Sequence, residues 1–319
     1  MIADLVVCPA CRTREGDRIE LRTLDREDDW LVCECGQRCP IVDGIPIVMA
    51  DPARLYRDEI TTIVERELDP AIAAALVAHG PDDAPYPRLL EHLSLYLDAH
   101  WGDRAEPPPE HEGFGARSLV ERIAALPAVD HAVELGCSAG RIVATLARSA
   151  AHVVGIDLHV GALRRARRLF AGEPVRYARR MTGRHYATAT IAAQPLANVT
   201  LVAGDALDPP LVPLSFGRVV ALNVLDSVTS PHQLLAVLDG LCAPGGELIV
   251  ASPFTWQSGV VADHHRFGPA PADELARIVE TGLGARYQLV ERADLPWSLR
   301  RDARSAMTYE VHYIRARKA

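Results

Sequence analysis

The stretch from His131 to Asp157 constrains this chain more than any other. It reads HAVELGCSAGR, continues with the helical run IVATLARSA and ends with HVVGID. An apolar strand at Ala132–Leu135 therefore leads into a glycine-containing turn, a helix follows, and a second strand ends at Asp157. This order predicts a β–α–β unit whose turn allows a ligand to approach the backbone closely.

Residue types around the turn favour one class of ligand. Glu134 precedes the turn, where an acidic group suits a cationic ligand and is unfavourable beside a pyrophosphate. Gly136 and Gly140 flank small residues, with no third glycine at the dinucleotide spacing. Asp157 lies 21 residues after Gly136, where a carboxylate can accept both hydroxyls of a ribose. These features favour S-adenosylmethionine (SAM), which carries a sulfonium and an amino group, over dinucleotides.

Downstream segments predict a doubly wound α/β domain with a mostly parallel seven-stranded sheet. Helical runs separate five predicted strands, and two late strands with a short link predict an antiparallel ending. The predicted strands are Ala132–Leu135, Val153–Asp157, Val199–Gly204, Arg218–Leu222, Glu247–Ala251, Tyr287–Arg292 and Tyr309–Arg315. Gly204-Asp205-Ala206 ends the third strand, Asn223 follows the fourth, and Pro244-Gly245-Gly246 forms the turn into the fifth.

With these motifs in this order, the domain resembles class I SAM-dependent methyltransferases. The resemblance implies that Asp205 accepts from the adenine amino group and that Asn223 lies where methyl group and substrate meet. The cofactor-binding residues that it implies are Glu134, Gly136, Cys137, Ser138, Gly140, Asp157, Leu158, Gly204, Asp205, Ala206 and Asn223.

Several segments also resemble the methyltransferase domain of ovothiol biosynthesis, which acts on a mercaptohistidine ring nitrogen. They are GCSAGRIVATLAR at 136–148, GIDLHVGAL at 155–163, NVLDSVTSP at 223–231, PGGELIVASPFTW at 244–256 and DLPWSLRRDAR at 294–304. This chain has a cysteine-rich N-terminal segment in place of that family's sulfoxide-synthase domain, and it reads QSGVVADHHRFG after the SPFTW motif. The resemblance therefore implies the reaction type and not the substrate.

Five of the seven cysteines lie in the first 39 residues, which indicates a metal site at this end of the chain. Cys8 and Cys11 form a CxxC knuckle, and after 21 residues Cys33 and Cys35 supply a second pair. Four thiolates suit a closed, structural zinc site. Cys39 can replace either Cys33 or Cys35 as a ligand. The segment, with CPAC, LVCECG and CPIVDGIPIV, resembles the zinc ribbon related to the small activator subunit of tRNA and protein methyltransferases.

The sequence thus predicts three parts: a zinc ribbon at 1–50, a helical linker or lid at 51–112, and the methyltransferase domain at 113–319. Tyr96, His100 and Trp101 on the lid are candidates for the cleft or for packing. The polar segment 176–197 is a candidate roof for the site. Candidate catalytic residues are Asp226, which follows the fourth strand, and His264 and His265, which follow the fifth.

Composition and net charge limit the classes of partner that we expect this chain to bind. The formal net charge of −8 argues against non-specific nucleic-acid binding, because neutralised phosphates dominate that affinity. No apolar run has the length of a membrane span, and the first residues do not read as a signal peptide, so we expect a cytoplasmic protein. We therefore expect a small-molecule acceptor. An RNA or protein methyltransferase that uses the ribbon for recognition, and a SAM-binding scaffold without activity, are the alternatives.

Overall fold

The computed structural model describes residues 5–15, 18–80, 85–109 and 115–319. An N-terminal module of short antiparallel strands comes first. Two strands pair with each other, and the other four form a small sheet in chain order. The six strands are β1 (Thr13–Glu15), β2 (Arg18–Glu20), β3 (Asp25–Glu27), β4 (Trp30–Val32), β5 (Arg38–Val42) and β6 (Ile45–Pro46).

Helices follow, as the sequence predicts. They are α1 (Ala53–Ile63), α2 (Pro70–His79) and α3 (Pro85–Trp101), and a short strand β7 (Ala105–Glu106) comes after them. Asp69 caps α2, because its Oδ1 accepts from the amide of Ala71 at 2.9 Å. None of the described helices combines the length and the apolar character that crossing a membrane requires.

The remaining chain confirms the predicted α/β class. In chain order it forms α4 (Arg117–Ala124), β8 (Val129–Leu135), α5 (Arg141–Leu146), β9 (Ala150–Asp157), α6 (Val160–Phe170), β10 (Val175–Thr182), β11 (His185–Ile191), β12 (Val199–Ala203), β13 (Phe216–Leu222), α7 (Pro231–Leu241), β14 (Cys242–Ser252), α8 (Pro271–Arg277), β15 (Tyr287–Asp302) and β16 (Ser305–Lys318).

The central sheet has seven strands in the order β12-β9-β8-β13-β14-β16-β15. The first five run parallel, and β16 is antiparallel to both of its neighbours. The parallel strands are apolar and almost fully buried, as expected for a sheet covered on both faces. The strand order changes direction at β8, because β9 lies on one side of it and β13 on the other. Such a switch point creates a crevice at the carboxyl ends of the strands.

Two regions differ from the sequence prediction. The polar segment 176–197 is largely a β-hairpin of β10 and β11. Strand β11 also pairs with β7, so the linker is not wholly helical. The last two strands are longer than predicted, because their pairing extends from Tyr287 with Lys318 to Asp302 with Ser305. The predicted boundary between residues 112 and 113 lies outside the described residues.

The N-terminal module docks on the edge strand β12 and on the loop that follows it. The amide of Val48 donates to the carbonyl of Ala203 at 2.9 Å, and the amide of Val7 donates to that of Pro210 at the same distance. Arg12 forms an ion pair with Asp208 at 2.6 Å. The module therefore holds the loop at 204–212 from both ends.

A buried carboxylate joins α3 to two strands outside the parallel sheet. Asp98 is fully buried and accepts hydrogen bonds from Tyr177 and Arg179 on β10 and from Arg300 on β15. Arg179 also donates to the carbonyl of Pro107 at 2.6 Å. Two guanidinium groups thus share one buried carboxylate. Removing the carboxylate would leave buried positive charge uncompensated.

We predict that Asp98→Asn lowers the free energy of unfolding by about 3–5 kcal/mol, because both arginines lose their buried counter-ion. Asp263→Asn is the matched control, since this side chain is 92% exposed and its ion pair with Arg266 lies at the surface. The control is expected to change stability by less than about 1 kcal/mol. Urea denaturation measures both, and equal effects of the two substitutions would contradict the role of Asp98.

Candidate active site

A cavity of about 340 Å³ lies at the carboxyl ends of the parallel strands. Residues that follow β8, β9, β12, β13 and β14 form its floor and sides. Helix α3 and the β15–β16 hairpin contribute much of the remaining lining, and Leu119 of α4 and Ile142 of α5 also contribute to it. The volume is in the range typical of small-molecule sites.

The turn after β8 depends on backbone freedom at Gly136. This residue has a φ of +78°, and an added Cβ would lie 2.1 Å from Cγ2 of Val224. Its amide donates to the carbonyl of Ile156 at 2.7 Å, which fixes the turn against β9. A side chain at this position would therefore disturb both the turn and the loop after β13.

Asp157 ties two loops together at the end of β9. Its Oδ2 accepts from the amide of Ser138 and its Oδ1 from the amide of His159, both at 2.7 Å. Burial raises the pKa of this carboxyl group, although these two amide bonds oppose the shift. A carboxylate offers about four acceptor positions, so Asp157 can bind ligand hydroxyls in addition to the two amides.

Two polar atoms at the cavity are buried without a hydrogen-bond partner among the described residues: Oε2 of Glu134 and Oδ1 of Asn223. Burial, followed by the nearby charge of Asp157, raises the pKa of Glu134 well above its usual value. Asn223 has a φ of +57°, an uncommon backbone conformation that turns the chain away from β13. Buried acceptors without donors are costly, so both atoms favour a ligand that brings N–H or O–H groups.

The structure brings most of the predicted cofactor residues to this cavity. Its lining includes Glu134, Gly136, Ser138, Asp157, Leu158, Gly204, Asp205, Ala206 and Asn223. Cys137 and Gly140 are buried beneath the turn and do not line the cavity. An added Cβ at Gly140 would lie 2.9 Å from the ring of Phe170, so this glycine serves close packing of the turn on α6.

The candidate catalytic residues lie in two different places, and only one of them lines the cavity. Asp226 is buried and lines the cavity, and its Oδ2 accepts from the Oγ1 of Thr255 at 2.6 Å and from its amide at 3.2 Å. Its Oδ1 accepts only a longer bond, 3.4 Å from the Oγ of Ser252. His264 and His265 lie in a short turn after β14 and are absent from the cavity lining. Their ring centroids are 4.2 Å apart and His264 is exposed, so the geometry gives no support to a catalytic role.

Helix α3 lines the cavity through His92, Tyr96 and His100, in accord with a lid. Burial lowers the pKa of His100 to about 4, with a further contribution from the charge of Arg141, so this ring is neutral at pH 7. Trp101, in contrast, packs beneath the site and donates its indole N–H to the carbonyl of Ala139 at 2.8 Å.

Sequence reasoning missed the contribution of the last two strands. Trp297 and Leu299 on β15 and Tyr309 on β16 line the cavity. Trp297 pairs directly with Tyr309, and their ring centroids are 5.9 Å apart. The alternating apolar residues Leu295, Trp297 and Leu299 signal a half-buried strand, but only the hairpin register places them at the cavity.

Cys8, Cys11, Cys33 and Cys35 converge in the N-terminal module, with their Sγ atoms all within 4.8 Å of one another. The Sγ atoms of Cys8 and Cys35 lie 3.8 Å apart, as do those of Cys11 and Cys33. Four sulfurs at about 2.3 Å from a tetrahedral ion would be separated by about 3.8 Å, so the donor set fits zinc. Cys39 is buried outside this cluster.

Comparisons with known proteins show what this chain is similar to. The family model described as a methyltransferase domain matches residues 133–250. A search of curated proteins gives no significant match.

Similar solved structures include three bacterial or archaeal proteins. N-methyltransferase NodS from Bradyrhizobium japonicum is 17% identical, with 75% of this chain and 99% of that chain covered and a TM-score of 0.41. A SAM-dependent methyltransferase from Aquifex aeolicus is 13% identical, with 79% and 100% covered and a TM-score of 0.41. The complex between the Haloferax volcanii Trm112 methyltransferase activator and a methyltransferase gives 15% identity, 79% and 99% coverage and a TM-score of 0.45. At these values the likeness says nothing of substrate or partner.

We predict that protein purified with reduced cysteines contains about one equivalent of zinc, because four convergent thiolates form a closed site. Cys35→Ser is expected to lose the metal and to destabilise the N-terminal module. Cys39→Ala is the matched control and is expected to retain it. Elemental analysis measures the zinc content, and reduced protein without zinc, or equal loss in both variants, would contradict this assignment.

Proposed function

We propose that this chain, through its methyltransferase domain, transfers a methyl group from SAM to a nucleophilic nitrogen, oxygen or sulfur of a small molecule. The observation that supports this best is the convergence of Glu134, Gly136, Asp157, Asp205 and Asn223 on one cavity at the switch point of the sheet.

The residues present fit SAM. In this proposal the buried, unpartnered acceptors of Glu134 and Asn223 face the amino-acid end of SAM, whose ammonium group brings three N–H donors. Asp157 accepts the ribose hydroxyls, and Asp205 accepts from the adenine amino group. The Oδ1 of Asp205 already accepts from the amide of Leu207 at 2.8 Å, which fixes the carboxylate at the end of β12.

SAM supplies an electrophilic methyl group, to which the acceptor's lone pair bonds while the C–S bond breaks and its electrons remain on sulfur. The protein's own part is to align the acceptor and to exclude water, which supplies much of the rate in such a displacement. Asp226 is the candidate general base for an acceptor that enters protonated, because its Oδ1 retains acceptor capacity. Thr255 holds the other oxygen in place.

The size of the cavity and the walls on two of its sides support a small acceptor over RNA or protein. Helix α3 lines one side, and Trp297, Leu299 and Tyr309 line another. The N-terminal module meanwhile packs against the loop at 204–212, so we assign its zinc an architectural role.

We predict that Asp157→Ala weakens binding of S-adenosylhomocysteine by more than tenfold, about 1.4 kcal/mol, because the ribose partner and the anchor of two loops are lost. Isothermal titration calorimetry measures the affinity. Asp273→Ala is the control, because its carboxylate is 75% exposed and bonded to Arg292 on the surface. Unchanged affinity in Asp157→Ala would contradict the ribose assignment.

We also predict that incubation with radiolabelled SAM and a cell extract places label in the fraction of low molecular mass. A cavity of about 340 Å³ admits a compact acceptor more readily than a folded macromolecule. Asp157→Ala protein is the control for labelling by other enzymes. Label confined to the RNA or the protein fraction would instead favour an acceptor recognised outside the cavity.

A further inference from the structure

Part of the cavity wall that cofactor-binding residues do not supply is aromatic and contains one carboxylate. We define this acceptor wall by Tyr96, Asp226, Trp297, Leu299 and Tyr309, all of which line the cavity. Trp297 and Leu299 are buried to more than 90%. Burial raises the pKa of Tyr96, and the charges of Asp157, Tyr309 and Asp226 add to the shift.

The cavity has acidic groups and no basic counterpart. Glu134, Asp157, Asp205 and Asp226 line it, and no lysine or arginine is found in the lining that the described residues form. The proposed function assigns Glu134, Asp157 and Asp205 to SAM, so Asp226 is the carboxylate that faces an acceptor. An anionic group on the acceptor beside Asp226 would therefore meet a like charge, with no lysine or arginine in the described lining to balance it.

The histidines at the cavity do not change this balance. Burial lowers the pKa of His100 to about 4, and Arg141 adds to the shift. Burial, with Arg165 adding to it, lowers the pKa of His159 to about 4. His92 stacks on His159 with ring centroids 5.0 Å apart. Burial, with His159 adding to it, lowers the pKa of His92 to about 4. All three rings are neutral at pH 7.

Asp226 has an oxygen that its neighbours do not saturate. Thr255 donates twice to Oδ2, whereas Oδ1 accepts one bond of 3.4 Å from Ser252. Because the Asp226 carboxylate is buried, it is poorly solvated by water. A charged hydrogen-bond donor on the ligand would therefore stabilise it strongly. An ammonium group is such a donor, and the aromatic faces of Tyr96, Trp297 and Tyr309 accommodate both a cation and an apolar body.

We propose that the methyl acceptor is a primary or secondary amine on an aromatic or apolar body, without a carboxylate or phosphate near the reacting nitrogen. This inference rests on the proposed function. The ammonium form transfers one proton to Oδ1 of Asp226 or to water, and the electrons of that N–H bond remain on nitrogen as the lone pair that accepts the methyl group. Thiolate and phenolate acceptors are disfavoured, because their negative charge would form beside Asp226.

Matched probes of opposite charge test the proposal. Protein saturated with S-adenosylhomocysteine is titrated with tyramine and phenethylamine, and with 3-(4-hydroxyphenyl)propionate and 3-phenylpropionate. The amines are expected to bind at least about tenfold more tightly than the carboxylates. Asp226→Asn is expected to remove most of this preference and to leave the affinity for S-adenosylhomocysteine within about threefold. Asp263→Asn, a surface carboxylate, controls for net charge.

Every outcome of these titrations either supports or overturns the proposed amine acceptor. Equal or tighter binding of the carboxylates, binding of neither series, or an unchanged preference in Asp226→Asn would overturn the proposal. If Asp226→Asn does not fold, as circular dichroism would show, the comparison of amines with carboxylates on the wild-type protein decides alone. Failure to bind S-adenosylhomocysteine in the first step would instead overturn the proposed function, so the two failures are distinguishable.

Discussion

The buried carboxylate of Asp98 connects the parts of the molecule that enclose the cavity. It accepts from Arg179 on β10 and from Arg300 on β15, and it belongs to α3, the helix that carries Tyr96 and His100. The parallel sheet alone provides an open crevice at its carboxyl edge. The shared ion cluster holds α3 and the β15–β16 hairpin over that edge, and the cavity wall depends on this arrangement.

A second constraint acts at the opposite side of the cavity. The loop that carries Gly204 and Asp205 follows an edge strand, where hydrogen-bonding groups would otherwise remain unpaired. The N-terminal module donates from Val48 to the carbonyl of Ala203 at the end of this strand and from Val7 to that of Pro210 in the loop. It adds an ion pair between Arg12 and Asp208. The cysteine cluster lies in this module, whose contacts position part of the candidate cofactor site.

The sequence predicted the parts of the site that depend on local order. Glu134, Gly136 and Asp157 belong to one β–α–β unit, and parallel strands place their carboxyl ends at one edge, so the chain order alone brings them together. Trp297 and Tyr309 reach the cavity through hairpin register, and His92 reaches it through the packing of α3, neither of which a linear pattern specifies. The choice between Cys39 and its neighbours also required coordinates, because the spacing permits either set.

The central claim is that the cavity at the carboxyl edge of the sheet binds SAM beside an acidic, aromatic acceptor wall. A crystal structure of the protein with S-adenosylhomocysteine tests it most directly. We predict density for the ligand in this cavity, with the ribose hydroxyls on Asp157, the adenine next to Asp205 and the sulfur directed toward Asp226 and Tyr309. Density at another site, or a ribose that does not contact Asp157, would contradict the account.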